Sequence, residues 1–115
     1  MHDSILKHRS YAFALTIVKE CRNLITQKEY ILSRQLLRSG TSIGALIREA
    51  EFAQSRPDFI NKLNIALKEA NETDYWLSLL KDELLISIET FESLDSQCKE
   101  ILSMLVSSIK TLRNN

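Results

Sequence analysis

The chain has 115 residues, of which 44% are hydrophobic, and this is typical of one domain (residues 1–115) with a single apolar core. It carries 15 Lys and Arg against 15 Asp and Glu, which argues against a strongly basic nucleic-acid-binding domain. No apolar run approaches the roughly 20 residues that cross a bilayer, and the first residues lack the apolar stretch of a signal peptide. We therefore expect a cytoplasmic protein without a membrane partner.

The charges are unevenly distributed between the two halves of the chain. Residues 1–56 carry nine Lys or Arg and five Asp or Glu, whereas residues 57–115 carry six and ten. The resulting net charges of +4 and −4 can steer one half onto the other, within a subunit or between subunits. Cys21 and Cys98 are too few and too far apart for a disulfide framework or a metal site, so we expect two buried free thiols.

The first predicted helix covers residues 4–26, with Asp3 or Ser4 as its N-cap. One apolar stripe repeats at steps of three and four residues and is expected to face the core: Tyr11, Ala14, Val18, Cys21 and Ile25. Residues 27–29 form a polar connection that contains no strong helix breaker.

The second predicted helix covers residues 30–53 and contains both glycines of the chain. Its expected inward positions are Leu32, Leu36, Ile43, Ile47 and Ala50. Gly40 and Gly44 lie one turn apart, and each costs about 1 kcal/mol relative to Ala inside a helix. Two explanations stay open, namely a close approach by a neighbouring helix and a local kink.

The third predicted helix covers residues 57–81 and follows the clearest boundary in the chain. Ser55 or Arg56 ends the preceding turn, Pro57 suits the first helical position, and Asp58 complements the positive helix N-terminus. Steps of four and three residues define a heptad seam with one polar member: Phe59, Leu63, Ala66, Ala70, Thr73, Leu77, Leu80 and Leu84.

The fourth predicted helix covers residues 88–112, with Ser87 as a candidate cap. Its inner stripe consists of Phe91, Leu94, Cys98, Ile101, Leu105 and Leu112. Four long helices joined by short connections predict an all-α, antiparallel up-down-up-down four-helix bundle.

Helices three and four carry more apolar residues than one inner stripe needs. The additional positions are Ile60, Ile65, Leu67, Tyr75, Trp76, Leu79, Leu102, Met104, Val106 and Ile109. Apolar surface of this extent indicates self-association, and a broad core stripe is the alternative. We expect a homo-oligomer whose interface includes Tyr75, Trp76, Leu79 and Val106.

No residue pattern in the chain indicates catalysis or metal binding. His2, His8 and Asp3 have no second cluster to complete a metal site, and the Glu-x-x-His pairs of carboxylate-bridged metal bundles are absent. Glu49 is expected near the inward face, as a partner for Arg38, Arg48 or a helix end. The sequence therefore predicts a protein that is not an enzyme and takes no cofactor, metal or small-molecule substrate.

A basic stripe on the second helix is the remaining candidate site. Arg34 and Arg38 lie one turn apart and Arg48 returns to roughly the same side, close to hydroxyl side chains at Ser39, Thr41 and Ser42. This face could contact phosphates of a nucleic acid. The alternative is a solvated face, or one paired with acids of helix three or of a neighbouring subunit.

A family resemblance covers nearly the whole chain. Residues 33–44, SRQLLRSGTSIG, and residues 48–50, REA, resemble the bacterial four-helix bundle proteins of the 23S rRNA intervening-sequence family. The likeness continues at residues 58–59, 63, 65–70 and 72–73. The shared motif consists of Arg38, Ser39, Ser42, Ile43, Glu49 and Ala50.

The resemblance implies an antiparallel four-helix bundle that assembles as a ring-like homopentamer without established catalytic activity. A related branch comprises accessory proteins of diversity-generating retroelements, which are basic pentameric barrels that bind a reverse transcriptase and RNA. By that analogy Arg34, Arg38 and Arg48 are the positions expected to contact RNA, and the expected partners are further copies of the chain and RNA or another protein.

Overall fold

A computed structural model describes residues 3–114, with side chains from residue 5 onward. The four helices are α1 (Asp3–Thr26), α2 (Ile31–Ala50), α3 (Arg56–Asp82) and α4 (Ile88–Arg113). Each helix packs against its neighbours in the chain, and α1 also packs against α4. The described residues thus confirm the all-α, up-and-down four-helix fold, within overall dimensions of 47 × 21 × 19 Å. No helix in this range is both long and apolar enough to cross a bilayer.

Serine side chains cap the starts of α3 and α4; the sequence predicts the cap at Ser87 and, before α3, a boundary at Ser55 or Arg56. Ser55 accepts a hydrogen bond from the backbone N–H of Asp58 at 3.2 Å, and Ser87 accepts one from Thr90 at 3.0 Å. Each bond satisfies one N–H that lacks a partner inside its helix. The predicted cap of α1 falls outside the described side chains, and α2 ends at Ala50, three residues before its predicted end.

Two helices end in the same left-handed turn, although neither turn contains glycine. Lys28 follows α1 with φ of 65°, and Leu84 follows α3 with φ of 59°. In both turns two backbone N–H groups return to carbonyls of the last helical turn, as from Leu85 to Leu80 and from Leu84 to Lys81. This is the Schellman arrangement, whose left-handed position usually holds glycine. Leu84 is 88% exposed, so its predicted place in the α3 seam is wrong.

The core lies along the shared axis of the four helices. In α3 the six central seam positions are buried as predicted: Leu63, Ala66, Ala70, Thr73, Leu77 and Leu80. In α4 the buried positions include Ile109, which the sequence placed beyond the stripe. Several of the additional apolar residues pack partly buried against this core, among them Ile60, Leu67, Trp76, Leu102 and Met104. A broad core therefore accounts for part of the apolar excess.

The predicted inward face of α1 is wrong at most positions. Only Cys21 of the predicted stripe is buried, whereas Tyr11 and Ile25 are about half exposed. The buried stripe instead consists of Leu6, Ser10, Phe13, Ile17, Cys21 and Leu24. Because α1 carries two apolar stripes with the same helical period, periodicity cannot distinguish the stripe that faces the core.

Both glycines of α2 lie where α1 approaches closely. A Cβ atom on Gly40 would lie 2.8 Å from Cγ2 of Ile17, and one on Gly44 would lie 3.4 Å from the backbone carbonyl of Ser10. Since α2 is one uninterrupted helix at these positions, close approach is the explanation that the structure supports. The two glycines bring α1 and α2 together and fix which side of α1 is buried.

Candidate interaction surfaces

An apolar groove runs between α1 and α2 on the outside of the bundle. It has a volume of about 530 Å³ and is lined by Lys7, Tyr11, Ala14, Thr41, Gly44, Ala45, Arg48, Glu49 and Phe52. Phe52 lies just beyond the end of α2 and is 80% exposed, and Tyr11 is 56% exposed. We call this surface the α1–α2 groove. Large apolar side chains that share one groove are a feature of interaction sites.

Charged side chains of both signs surround the groove. Lys7 forms an ion pair with Glu51 at its rim. The Arg48 guanidinium lies 5.9 Å from the centre of the Tyr11 ring, a cation–π distance, and within the described residues it has no acidic partner. Glu49 is exposed and its Oε1 lies 3.7 Å from Nζ of Lys62, so the inward position and the arginine partners predicted for Glu49 are wrong.

The three arginines of the predicted basic stripe have different environments. Arg38 turns towards α3, where it forms ion pairs with Glu69, at 3.1 Å, and with Glu72. Arg48 turns towards α1, and Arg34 points outward, exposed and without an acidic partner in the described part of the chain. The acid-paired alternative therefore applies to Arg38, while the side chains of Arg34 and Arg48 remain accessible for a partner.

A second apolar patch lies where α3 and α4 face outward. Tyr75 and Val106 are 59% and 49% exposed. Trp76 is half-buried against the core, its ring centre is 5.0 Å from that of Tyr75, and its Nε1 donates a hydrogen bond to Glu72 at 3.0 Å. Leu79 is also half-buried. Their role in an interface remains a prediction, which the exposure of Tyr75 and Val106 favours.

A comparison with known protein families finds one family whose model matches most of the chain. The family model of the 23S rRNA-intervening sequence protein matches residues 2–107. The chain belongs to this family.

A solved family structure has the same fold over almost its full length. It is a protein of unknown function from the S23 ribosomal protein family of Bacteroides thetaiotaomicron, and it is 57% identical to this chain. The superposition has a TM-score of 0.94 and covers 96% of this chain and 99% of that one. No curated protein matches the sequence.

Most motif residues of this family member contribute to helix packing. Ile43 and Ala50 are buried, and the Ser42 hydroxyl donates a hydrogen bond to the Arg38 carbonyl of its own helix. Ser39 is fully buried and its Oγ lies 2.9 Å from Oγ1 of Thr73 on α3. The motif therefore indicates the fold more directly than it indicates a binding site.

The Thr73 hydroxyl, which is buried in the apolar seam of α3, has two hydrogen-bond partners. Its Oγ1 lies 2.9 Å from Ser39 Oγ and 2.8 Å from the Glu69 carbonyl oxygen. A hydroxyl has one proton to donate, and a carbonyl can only accept. Ser39 therefore donates to Thr73, and Thr73 donates to Glu69. Both buried hydroxyls are satisfied, which offsets the cost of placing them in the core.

The buried thiols have no metal partner among the described residues, where no group of three or more ligating side chains occurs. Burial, followed by the nearby charge of Glu20, raises the pKa of the Cys21 thiol to about 11. Burial, followed by the charges of Asp74 and Asp95, raises that of Cys98 to about 12. Both cysteines are free, and each donates a weak hydrogen bond to a backbone carbonyl.

Proposed function

We propose that the protein is a non-enzymatic, homo-oligomeric scaffold or adaptor that acts in the cytoplasm and assembles as a pentamer. The observation that carries this proposal is the α1–α2 groove, whose Tyr11 and Phe52 side chains are exposed in one subunit. Burial of apolar surface yields roughly 25 cal/mol per Å², so a partner that covers these rings gains appreciable free energy. A second copy of the chain is such a partner.

A ring needs two different contact surfaces on each subunit, because its interfaces are head-to-tail. The groove supplies one surface, and the patch of Tyr75, Trp76, Leu79 and Val106 supplies a candidate for the other. A head-to-tail contact of the groove with this patch is therefore the arrangement proposed for the ring.

Light scattering on the purified chain at micromolar concentration tests the proposal, and a pentamer is the expected result. Phe52→Asp should shift the population towards monomer, because it places a charge in the apolar contact. Ile88→Asp is the matched control, since Ile88 is 62% exposed but lies outside the groove. A wild-type chain that stays monomeric would refute the assembly.

A second candidate function is that of a nucleic-acid-binding accessory protein. The accessible guanidinium groups of Arg34 and Arg48 favour it, because unpaired arginines bind phosphate with little reorganisation. The zero net charge of the chain disfavours it. The same family membership is compatible with either function.

Salt-dependent binding of a fluorescent RNA hairpin distinguishes the second candidate from the first. If the basic face contacts phosphates, log K should fall linearly with log salt concentration, and Arg34→Ala or Arg48→Ala should each reduce the slope by about 1. Arg38→Ala is the matched control, because Arg38 is already paired with two glutamates and should change the slope less. Affinity that is independent of salt and of all three arginines would eliminate this candidate.

A further inference from the structure

Two carboxyl groups meet between α3 and α4. Asp95 on α4 is only 6% exposed, which is rare for an aspartate, and Asp74 on α3 lies within hydrogen-bonding distance of it. One oxygen of each group, Oδ1, is buried and has no hydrogen-bond donor among the described residues. Two ionised carboxylates cannot satisfy each other, because both only accept hydrogen bonds.

The neighbouring charges do not neutralise the pair. Nζ of Lys99 on α4 lies 3.3 Å from Oδ2 of Asp95, on the solvent side, where its charge is screened by water. Cys98, also on α4, contributes no charge near neutral pH because the pKa of its thiol is raised to about 12. On α3 the facing titratable group is Asp74 itself. One exposed cation therefore serves two carboxyl groups.

A single proton between the two carboxyl groups would supply the missing hydrogen-bond donor. A protonated carboxyl group has an O–H donor, and the opposite carboxylate is an acceptor within reach. We propose that Asp74 and Asp95 share one proton, and that this shared proton links α3 to α4 in weakly acidic solution. The site binds a proton between two helices, which is a property separate from self-association and from nucleic-acid binding.

The pH range of the link follows from the pKa of Asp74. The hydrogen bond with Asp95, followed by burial and by the charge of Asp95, raises the pKa of Asp74 from 3.8 to about 6. The folded state therefore binds the proton more tightly than the unfolded state does. Its stabilising contribution is complete below about pH 4 and is lost as the pH rises through about 6. Above that pH both carboxyl groups are ionised and repel each other.

Carboxyl-carbon NMR of the 115-residue chain measures this proton directly. The expected result is that the Asp74 signal titrates with a midpoint near 6, about two pH units above the ordinary value of 3.8 for an aspartate. An Asp74 signal that titrates below about pH 4.5 would overturn the proposal.

Thermal unfolding of three variants tests the consequence for the helices. The wild-type Tm should fall by roughly 5 °C between about pH 5 and 7.5, in excess of the change seen in Asp74→Asn. Asp74→Asn keeps a permanent hydrogen-bond donor, so it should be more stable than the wild type at the higher pH.

Asp95→Asn keeps a donor towards Asp74 but leaves Lys99 without its partner. Glu92→Gln removes an exposed charge on the same helix and should retain the wild-type pH dependence. If the Tm of the wild type and the Tm of Asp74→Asn change by the same amount with pH, the shared proton is contradicted.

Discussion

The Ile17 side chain occupies the space that a methyl group on Gly40 would need. A Cβ at that position would lie 2.8 Å from Cγ2 and 2.9 Å from Cγ1 of Ile17, which is fully buried and branched at Cβ. A β-branched side chain in a helix has one strongly preferred rotamer, so Ile17 cannot turn away. The contact between α1 and α2 thus depends on the absence of a side chain at Gly40.

Gly40→Ala should destabilise the protein in spite of the higher helix propensity of Ala. Overpacking of a buried contact costs about 1–3 kcal/mol, whereas the propensity gain is about 1 kcal/mol. Gly44→Ala is the matched control, because its Cβ would meet Ser10 at an ordinary contact distance of 3.4 Å and should leave stability unchanged or raised. Urea unfolding measures both variants. Ile17→Val should reduce the loss of stability caused by Gly40→Ala, because it removes part of the side chain that the new methyl group would meet. Equal changes in unfolding free energy for Gly40→Ala and Gly44→Ala would contradict this steric explanation.

The Ser39–Thr73 hydrogen bond should contribute to the α2–α3 contact. Ser39→Ala removes the donor to a buried hydroxyl and should lower the free energy of unfolding by about 1–2 kcal/mol. Thr73→Val removes the second hydroxyl at nearly constant volume. The double variant leaves no buried hydroxyl without its donor. Its loss of unfolding free energy should therefore be smaller than the sum of the losses in the two single variants. A double-mutant cycle by urea unfolding measures this coupling, and strictly additive losses would show that the two hydroxyls act independently.

Glycine should be favoured at the two left-handed helix ends. Lys28 and Leu84 have φ of 65° and 59°, where L side chains are disfavoured by roughly 1–2 kcal/mol. Leu84→Gly should raise the thermal midpoint, since the exposed leucine makes little contact that would be lost. Lys28→Gly should act in the same direction. Leu85→Gly is the control with the opposite expectation, because Leu85 is packed against the core. Calorimetry measures the thermal midpoints. A lower midpoint for Leu84→Gly than for the wild type would indicate that Leu84 makes a contact whose loss outweighs the relief of backbone strain.

The two cysteines should react slowly with thiol reagents in the folded protein. The pKa values of about 11 and 12 for Cys21 and Cys98 leave almost no thiolate near neutral pH, and both side chains are buried. Ellman's reagent should therefore detect both thiols rapidly only in concentrated guanidinium chloride. In native buffer the rate of labelling should be limited by how often the bundle opens. Rapid labelling of Cys98 in native buffer would indicate an opening between α3 and α4.

The aspartate pair illustrates what sequence patterns miss, and the ion pairs of Arg38 illustrate a choice between alternatives that they leave open. Asp95 lies beside the α4 stripe, but no spacing rule connects it with Asp74, twenty-one positions earlier on another helix. Arg38 was one of three arginines on one side of α2, and the glutamates that pair with it lie on α3. Such contacts depend on the relative rotation of two packed helices, which local periodicity does not specify.

The sequence by itself determined four helices, the serine cap of α4, the boundary before α3 and the central seam of α3, because capping and periodicity act between residues close in the chain. Only the tertiary structure decided between the two apolar stripes of α1. Leu6, Phe13 and Ile17 face the core, and Tyr11 is left in the outer groove. The choice depends on steric fit with α2, where Gly40 accepts Ile17 and Gly44 accepts the backbone of Ser10. Both stripes satisfy the helical period, but only one fits the glycine surface of the neighbouring helix.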